Sequence, residues 1–128
     1  MRKLLATIIL FMAVGNVFAT DYKLIFFYSP SCAYCHLMAP QLQQVAYQYR
    51  LDLVGNSIEE QFIEGFAENI NDLSLFRKYK IYGMPTLVLH NARTQDGFIV
   101  ARGAILGEEL LQKLQEVASA INNTRYAS

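Results

Sequence analysis

The chain has 128 residues, of which 53% are hydrophobic and 17% are charged. This length suits one domain with a sizeable core, and the low charged fraction argues against intrinsic disorder. Eleven Lys and Arg balance eleven Asp and Glu, so the formal net charge is zero. A neutral chain has no basic field to hold nucleic acid, and we therefore expect no nucleic-acid partner.

The first nineteen residues have the pattern of an export signal. Two basic residues follow the initial Met, residues 4–14 form an apolar run, and residues 17–19 (Val-Phe-Ala) place small side chains at the −3 and −1 positions of a cleavage site. The apolar run is shorter than the roughly 20 residues that a membrane-spanning helix needs. We therefore predict a cleaved signal peptide at 1–19 and a single domain at 20–128, with a retained membrane anchor as the alternative.

A strand and a helix are predicted at the start of the domain. Tyr22–Tyr28 (YKLIFFY) is nearly all apolar, which is typical of a strand covered on both faces. Ser29–Ser31 breaks this strand. From about Cys32, apolar residues recur at helical spacing as far as Tyr49, and Pro40 lies inside this predicted helix.

The middle of the chain gives weaker signals. A second short strand is predicted at Leu51–Val54, and Gly55–Asn56 is expected to end it. Residues 57–71 carry apolar side chains at spacings that hint at one or two helical turns. Within this stretch, Phe62 and Phe66 are expected to lie in the core.

The last third predicts a helix, a hairpin and a second helix. The first helix is capped by Asp72 or the residue before it and ends near Lys80. Two strands at 86–90 and 98–102 flank a polar turn. From about Gly107, apolar residues form one stripe of a closing helix. The order βαβ followed by αββα predicts an α/β sandwich with one hairpin.

The two cysteines, Cys32 and Cys35, lie where the buried strand gives way to a helix. A disulfide across so short a loop stabilises little, which favours a chemical role over a structural one. Unpaired N–H groups and the dipole at a helix N-terminus favour an anionic sulfur, so the pKa of Cys32 is predicted to lie below the value of about 8.5 for an isolated thiol. We assign Cys32 as the nucleophile and Cys35, one turn deeper, as the residue that resolves a mixed disulfide.

Four ordered features of the sequence resemble the thioredoxin superfamily. An apolar strand leads into Cys-x-x-Cys, and Pro40 follows five residues after the second cysteine. Gly83–Leu87 (GMPTL) is similar to the segment that contains the cis-proline of the superfamily, and Gly103 precedes a closing amphipathic helix. The resemblance implies an α/β, thioredoxin-like fold in which helices sandwich a central mixed β-sheet.

The resemblance also implies site residues around the cysteines. The Met84–Pro85 bond is then cis, Pro85 blocks metal capture by the sulfurs, and the backbone of Met84 pairs with an extended protein substrate. Ala33, Tyr34 and His36 are assigned to redox tuning, with a solvated histidine as the alternative for His36. No metal and no cofactor are expected.

The string CAYCH and the long segment between Leu51 and Lys80 resemble periplasmic disulfide isomerases, in particular those of conjugative and type IV transfer systems (TrbB/TraF type). This implies a periplasmic enzyme that oxidises or isomerises the disulfides of exported proteins, with a membrane or periplasmic redox partner. One departure is Phe26, which stands where thioredoxin has a buried acidic proton acceptor. A reductase role is therefore less expected than an oxidase or isomerase role.

Other interpretations of the motif stay open. CAYCH is also a C-x-x-C-H string, the attachment signature of c-type haem, with Met38 or Met84 as a candidate axial ligand. The strands around the motif argue against a cytochrome, which is helical around its haem. A thioredoxin-like scaffold module with an idle disulfide is a second alternative. A zinc site would need His90 in addition to the cysteines and His36.

Overall fold

The computed structural model of the chain describes residues 21–127, so the predicted signal peptide at 1–19 lies outside the described residues. Five strands and three helices make up this part of the chain. In chain order they are β1 (Tyr22–Tyr28), α1 (Ala33–Gln48), β2 (Leu53–Ser57), β3 (Glu68–Ile70), α2 (Leu73–Lys78), β4 (Thr86–Asn91), β5 (Gly97–Arg102) and α3 (Gly107–Ala127).

The strands form one mixed sheet in the order β3-β2-β1-β4-β5. β2 is parallel to β1 and β3 is parallel to β2, whereas β4 is antiparallel to β1 and β5 is antiparallel to β4. The central strand β1 is buried from Leu24 to Tyr28, as its apolar sequence predicts. The mixed sheet between helices confirms the predicted fold class.

The sheet separates two cores of unequal size. Alternate residues of β1 face the two sides, because successive side chains of a strand point to opposite faces. Leu24, Phe26 and Tyr28 pack with α1 and α3 in the larger core. Ile25 and Phe27 pack with α2 and β4 in the smaller core. One face of the sheet therefore carries two helices and the other carries the short helix α2.

The centre of β2 differs from the sequence-based prediction. Gly55 and Asn56 do not end the strand but lie inside it, and both are buried. The side-chain amide of Asn56 donates to the Asp72 carbonyl at 3.1 Å and accepts the Asp72 N–H at 2.9 Å, so its polar groups are satisfied. Gly55 is required because a Cβ atom there would collide with the side chains of Asn69 and Phe66.

The stretch between β2 and β3 also departs from prediction. None of its described residues is helical, and β3 was not predicted at all. Phe62 is 47% exposed rather than buried, while Phe66 stacks on Tyr28 at a centroid distance of 5.9 Å. The Tyr28 hydroxyl donates to Asn69 at 2.7 Å and accepts the Ile63 N–H at 3.0 Å. Side-chain hydrogen bonds, rather than a helical ladder, therefore hold this stretch in place.

The remaining elements follow the prediction. α2 begins after Asp72, whose carboxylate accepts the Ser74 N–H at 3.0 Å as an N-cap. The hairpin of β4 and β5 and the start of α3 at Gly107 are likewise confirmed. Within residues 21–127, no helix has the length and apolar character needed to cross a bilayer.

Candidate active site

Cys32 and Cys35 lie at the junction of β1 and α1 and are joined by a disulfide, with their Cα atoms 5.2 Å apart. Cys32 is the N-cap residue of α1 and is partly exposed. Cys35 is completely buried and belongs to the larger core. The sulfur of Cys32 is therefore the one that a protein substrate can reach.

The Sγ atom of Cys32 lies at the N–H groups of the first turn of α1. It accepts the Cys35 N–H at 3.1 Å, and no acidic residue occurs in this turn. The hydrogen bond and the positive end of the helix dipole both favour negative charge on this sulfur. When the disulfide is reduced, the same arrangement favours the thiolate over the thiol.

The turn between β1 and α1 is held by local hydrogen bonds. The Cys32 N–H donates to the Ser29 carbonyl at 3.1 Å, and the hydroxyls of Ser29 and Ser31 are 3.0 Å apart. Nε2 of His36 donates to the Pro30 carbonyl at 2.6 Å. Because a carbonyl oxygen only accepts, Nε2 carries the hydrogen of this bond. His36 therefore ties the first turns of α1 to the segment that precedes Cys32.

The two residues between the cysteines face solvent. Ala33 is exposed, and the ring of Tyr34 is 62% exposed. Leu37, one turn later on the same helix, is 55% exposed. These side chains form an apolar rim beside the exposed sulfur, where they meet any protein that approaches it.

The loop before β4 contains the other predicted site residues. The Met84–Pro85 bond is cis, as the resemblance implies. The Pro85 carbonyl accepts the Gly103 N–H at 2.8 Å, which anchors the loop to the end of β5. Met84 packs against the same core as Cys32, and its backbone N–H and C=O form no hydrogen bond with another described residue. This backbone is therefore available to an extended segment of another chain.

The surroundings of Cys35 are apolar. Phe26 is fully buried, lies in the same core and stacks on Tyr28 and Phe66. Among the described residues, no Asp or Glu side chain is buried. The position at which the superfamily resemblance implies an acidic group thus contributes only hydrocarbon to the core around Cys35.

Sequence reasoning missed a set of polar side chains that fix the segment after β2. Asn71 donates to the Ser57 carbonyl at 2.8 Å. The Ser57 hydroxyl donates to the Gln61 carbonyl at 2.7 Å and accepts the Glu59 N–H at 3.1 Å. The only signal in the sequence was the clustering of Asn and Ser between residues 56 and 71, which reads equally well as a loop.

His90 is not brought together with the cysteines. It is buried near the end of β4 remote from Pro85, and its Nδ1 shares a short hydrogen bond with the Tyr79 hydroxyl. Burial lowers the pKa of His90, and the charges of Lys78 and Lys23 lower it further. No group of three or more His, Cys, Asp or Glu side chains in the described part of the chain is arranged to hold a metal.

A reachable disulfide at a helix N-terminus, with a cis-proline loop in a thioredoxin-like fold, defines the site of a thiol–disulfide oxidoreductase. The sequence model of the TraF family, described as F plasmid transfer operon protein, matches residues 16–115. The chain therefore belongs to the TraF family. A comparison with curated proteins found no match.

Solved structures share the fold. A secreted disulfide oxidoreductase from Mycobacterium tuberculosis, homologous to E. coli DsbE, is 19% identical with a TM-score of 0.59, and the match covers 75% of this chain and 81% of that chain. MTB DsbF is 17% identical with a TM-score of 0.60, over 80% and 85% of the two chains. The thioredoxin domain of a thiol-disulfide oxidoreductase from Bacteroides vulgatus is 19% identical with a TM-score of 0.58, over 80% and 83%. Similarity at this level shows the fold alone.

Proposed function

We propose that this chain is a periplasmic thiol:disulfide oxidoreductase that forms and isomerises disulfides in exported proteins, including proteins of a plasmid-transfer apparatus. The observation that carries the proposal is the asymmetry of the disulfide: the Cys32 sulfur is reachable and bonded to an N–H group, whereas Cys35 is buried. The signal pattern at 1–19 supports export. The family description supports the link to plasmid transfer.

The oxidation reaction follows from this asymmetry. A substrate thiolate attacks Sγ of Cys32, the bond to Cys35 breaks, and Cys35 leaves as a thiolate that takes up a proton. A second thiolate of the substrate then attacks the substrate sulfur of the mixed disulfide and expels the Cys32 thiolate. The substrate loses two electrons and the enzyme gains them. A membrane or periplasmic redox partner restores the disulfide.

Isomerisation starts from the reduced enzyme. The Cys32 thiolate attacks an incorrect substrate disulfide and releases one substrate thiolate, which attacks another disulfide of the same substrate. The substrate thiolate freed by that second exchange attacks the substrate sulfur joined to Cys32 and expels the Cys32 thiolate, so no electrons are transferred overall. Pairing with the Met84 backbone serves many substrate sequences, because main-chain groups make the contact. Ala33, Tyr34 and His36 are the residues we propose to tune this exchange.

The apolar core around Cys35 affects every step in which this sulfur is a thiolate. A reductase must convert Cys35 into a thiolate so that it can resolve the mixed disulfide. Burial in apolar surroundings makes a thiolate costly unless a nearby base accepts the proton. Phe26 offers no such base, so resolution by Cys35 and its expulsion in the oxidation step both rely on water or another group to transfer the proton, whereas isomerisation proceeds through Cys32 alone.

Refolding of reduced and of scrambled ribonuclease tests the proposal. We expect the wild-type protein to accelerate both reactions, and Cys32→Ser to return both to the uncatalysed rate. Cys35→Ser is expected to accumulate a mixed disulfide with the substrate, detectable by mass, because the internal resolving thiol has been removed. Tyr47→Phe, a change on the exposed end of α1 remote from the site, serves as the control.

Two results would replace the proposal with an alternative. Activity retained in Cys32→Ser would mean that the disulfide is idle and that the chain is a scaffold module. A Soret band together with a covalent increase in mass would assign the motif to c-type haem, since attachment consumes both sulfurs.

A further inference from the structure

A surface depression lies directly before the cis-proline loop. Phe76, Arg77, Lys80, Ile81 and Tyr82 line it, and it encloses about 380 Å³. Arg77 and Lys80 are exposed, and the ring of Tyr82 is 85% exposed. The depression therefore combines an apolar floor with two cations and an aromatic ring at its rim.

A third cation joins the depression to the active site. Arg102 pairs with Thr86, the residue after Pro85, across β4 and β5. Its guanidinium donates to the Lys80 carbonyl at 3.3 Å, so the side chain reaches back over the loop. The next residue, Gly103, donates to the Pro85 carbonyl at 2.8 Å. The cations thus adjoin the loop whose backbone is free to pair with a substrate.

Within the described part of the chain, no carboxylate forms an ion pair with these cations. The ion pairs found among the described residues use other cations, namely Lys23, Arg93 and Lys113. The charge of Arg77 lowers the pKa of Asp72, but it is the smallest of the causes. The largest is the hydrogen bond with the Ser74 hydroxyl. The negative charge of Asp72 is therefore already engaged in capping α2.

We propose that Arg77, Lys80 and Arg102, together with Tyr82, form a basic patch that binds an acidic segment flanking the reacting cysteine of the protein substrate. The inference rests on the proposed function, because the patch adjoins the loop in which the Met84 backbone is proposed to pair with a substrate strand. Charge complementarity sets the chemistry of the partner: Asp and Glu side chains beside the cysteine. The contact favours encounter and binding, so it raises kcat/KM for acidic substrates.

Dithiol peptides with one shared core sequence test the basic patch. One peptide carries several Asp and Glu residues on both sides of the cysteines, a second carries Lys in their place, and a third carries Ser. At about 0.1 M salt, where exposed charges interact over about 10 Å, we expect wild-type protein to oxidise the acidic peptide about three- to tenfold faster than the basic peptide in kcat/KM. Added salt is expected to reduce this ratio.

Two charge-reversal variants separate the basic patch from overall charge. Arg77→Glu/Lys80→Glu removes two patch cations, whereas Lys78→Glu/Lys113→Glu produces the same change in net charge on other surfaces. Flanking charges also alter the reactivity of the peptide thiols, but this effect is identical for every enzyme variant. We expect the patch variant to reverse the peptide preference and the control variant to keep it.

The neutral peptide distinguishes failure of the patch from failure of the proposed function. If the neutral peptide is oxidised at one rate by all variants, the dithiol is active and the folds are intact. If the ratio of kcat/KM for the acidic and basic peptides is then equal in wild type and patch variant, the inference is overturned. The inference would also be overturned if the patch variant kept the peptide ratio but lost binding to anionic phospholipid vesicles. The cations would then bind a membrane surface. If the neutral peptide is not oxidised, the proposed function itself fails.

Discussion

At the scale of single residues, the outer cysteine owes its chemistry to backbone groups. Sγ of Cys32 accepts an amide hydrogen from the turn that it caps. The nearby His36 uses its Nε2 hydrogen to bind the Pro30 carbonyl. The geometry of this turn therefore favours a negative sulfur, and His36 contributes by holding the turn in place.

Alkylation of Cys32 measures this effect directly. In Cys35→Ser, which leaves one thiol, the rate of reaction with iodoacetamide should rise with pH along a single titration curve. Because the amide and the helix dipole favour the thiolate, we expect a midpoint below about 8.5. The same protein in concentrated urea provides the control, since the helix is then lost. Coinciding midpoints in the folded and unfolded protein would contradict the assignment of Cys32 as an activated nucleophile.

The buried His90 makes stability depend on pH. Burial, with the charges of Lys78 and Lys23, lowers its pKa, so the unfolded chain takes up a proton near pH 6.5 while the folded chain does not. The unfolded state then binds more protons, and this contribution to stability is complete above about pH 6.5 and is lost as the pH falls towards the folded pKa. We expect His90→Gln to flatten the decline in the free energy of unfolding below about pH 6.5. Urea titrations of wild type and His90→Gln over the same pH range measure this, and an equally steep decline in both would contradict the role of His90.

At the scale of elements, the sequence predicts what apolar periodicity determines. β1 and α3 are identified from their hydrophobic patterns because their stability comes from burying those side chains. The second half of β2 and the whole of β3 escape prediction because Gly55, Asn56 and Asn69 are typical of loops. They occupy strands here because Asn56 binds the Asp72 backbone and Asn69 binds Tyr28, contacts between residues distant in sequence.

The close contacts of Gly55 can be tested by adding one methyl group. In Gly55→Ala the new Cβ would collide with Phe66 and with Asn69, which is held in place by hydrogen bonds to Tyr28 and to the Ile63 carbonyl. We expect the free energy of unfolding to fall by about 1–3 kcal/mol. Gly83→Ala is the matched control, because nothing lies within 4 Å of a Cβ at that position. Equal losses in urea titrations of the two variants would show that Gly55 is not sterically required.

Some parts of the candidate site can also be predicted from the sequence and others cannot. The cysteines, Met84 and Pro85 are identified from short motifs, since each motif lies in one continuous stretch of chain. The basic patch could not be found from sequence, because Lys80 and Arg102 are distant in the chain and are brought together only when β5 pairs with β4. Site residues that lie in one short motif can thus be predicted from the sequence. A surface formed by residues from distant parts of the chain cannot.

At the scale of the whole molecule, the redox state of the dithiol is linked to the stability of the fold. Cys35 is part of the larger core and Cys32 begins the helix that covers it. In the oxidised chain, a cross-link across so short a loop restrains the unfolded state only slightly. In the reduced chain, the Cys32 thiolate gains its hydrogen bond and dipole interaction only when α1 is formed. The balance of these two effects decides which form is more stable.

We expect the reduced protein to be the more stable form at neutral pH. A thiol whose pKa is lowered by folding contributes its full stability above the unfolded value of about 8.5 and loses it as the pH falls through the folded value, so the advantage should shrink on acidification. Urea unfolding of both forms measures the stability difference, and equilibration with glutathione measures it again as a reduction potential, at about 30 mV per 1.4 kcal/mol. Cys32→Ser/Cys35→Ser should not respond to reductant. Greater stability of the oxidised form would make the dithiol a reductant, and oxidation of exported proteins would then not be its direction.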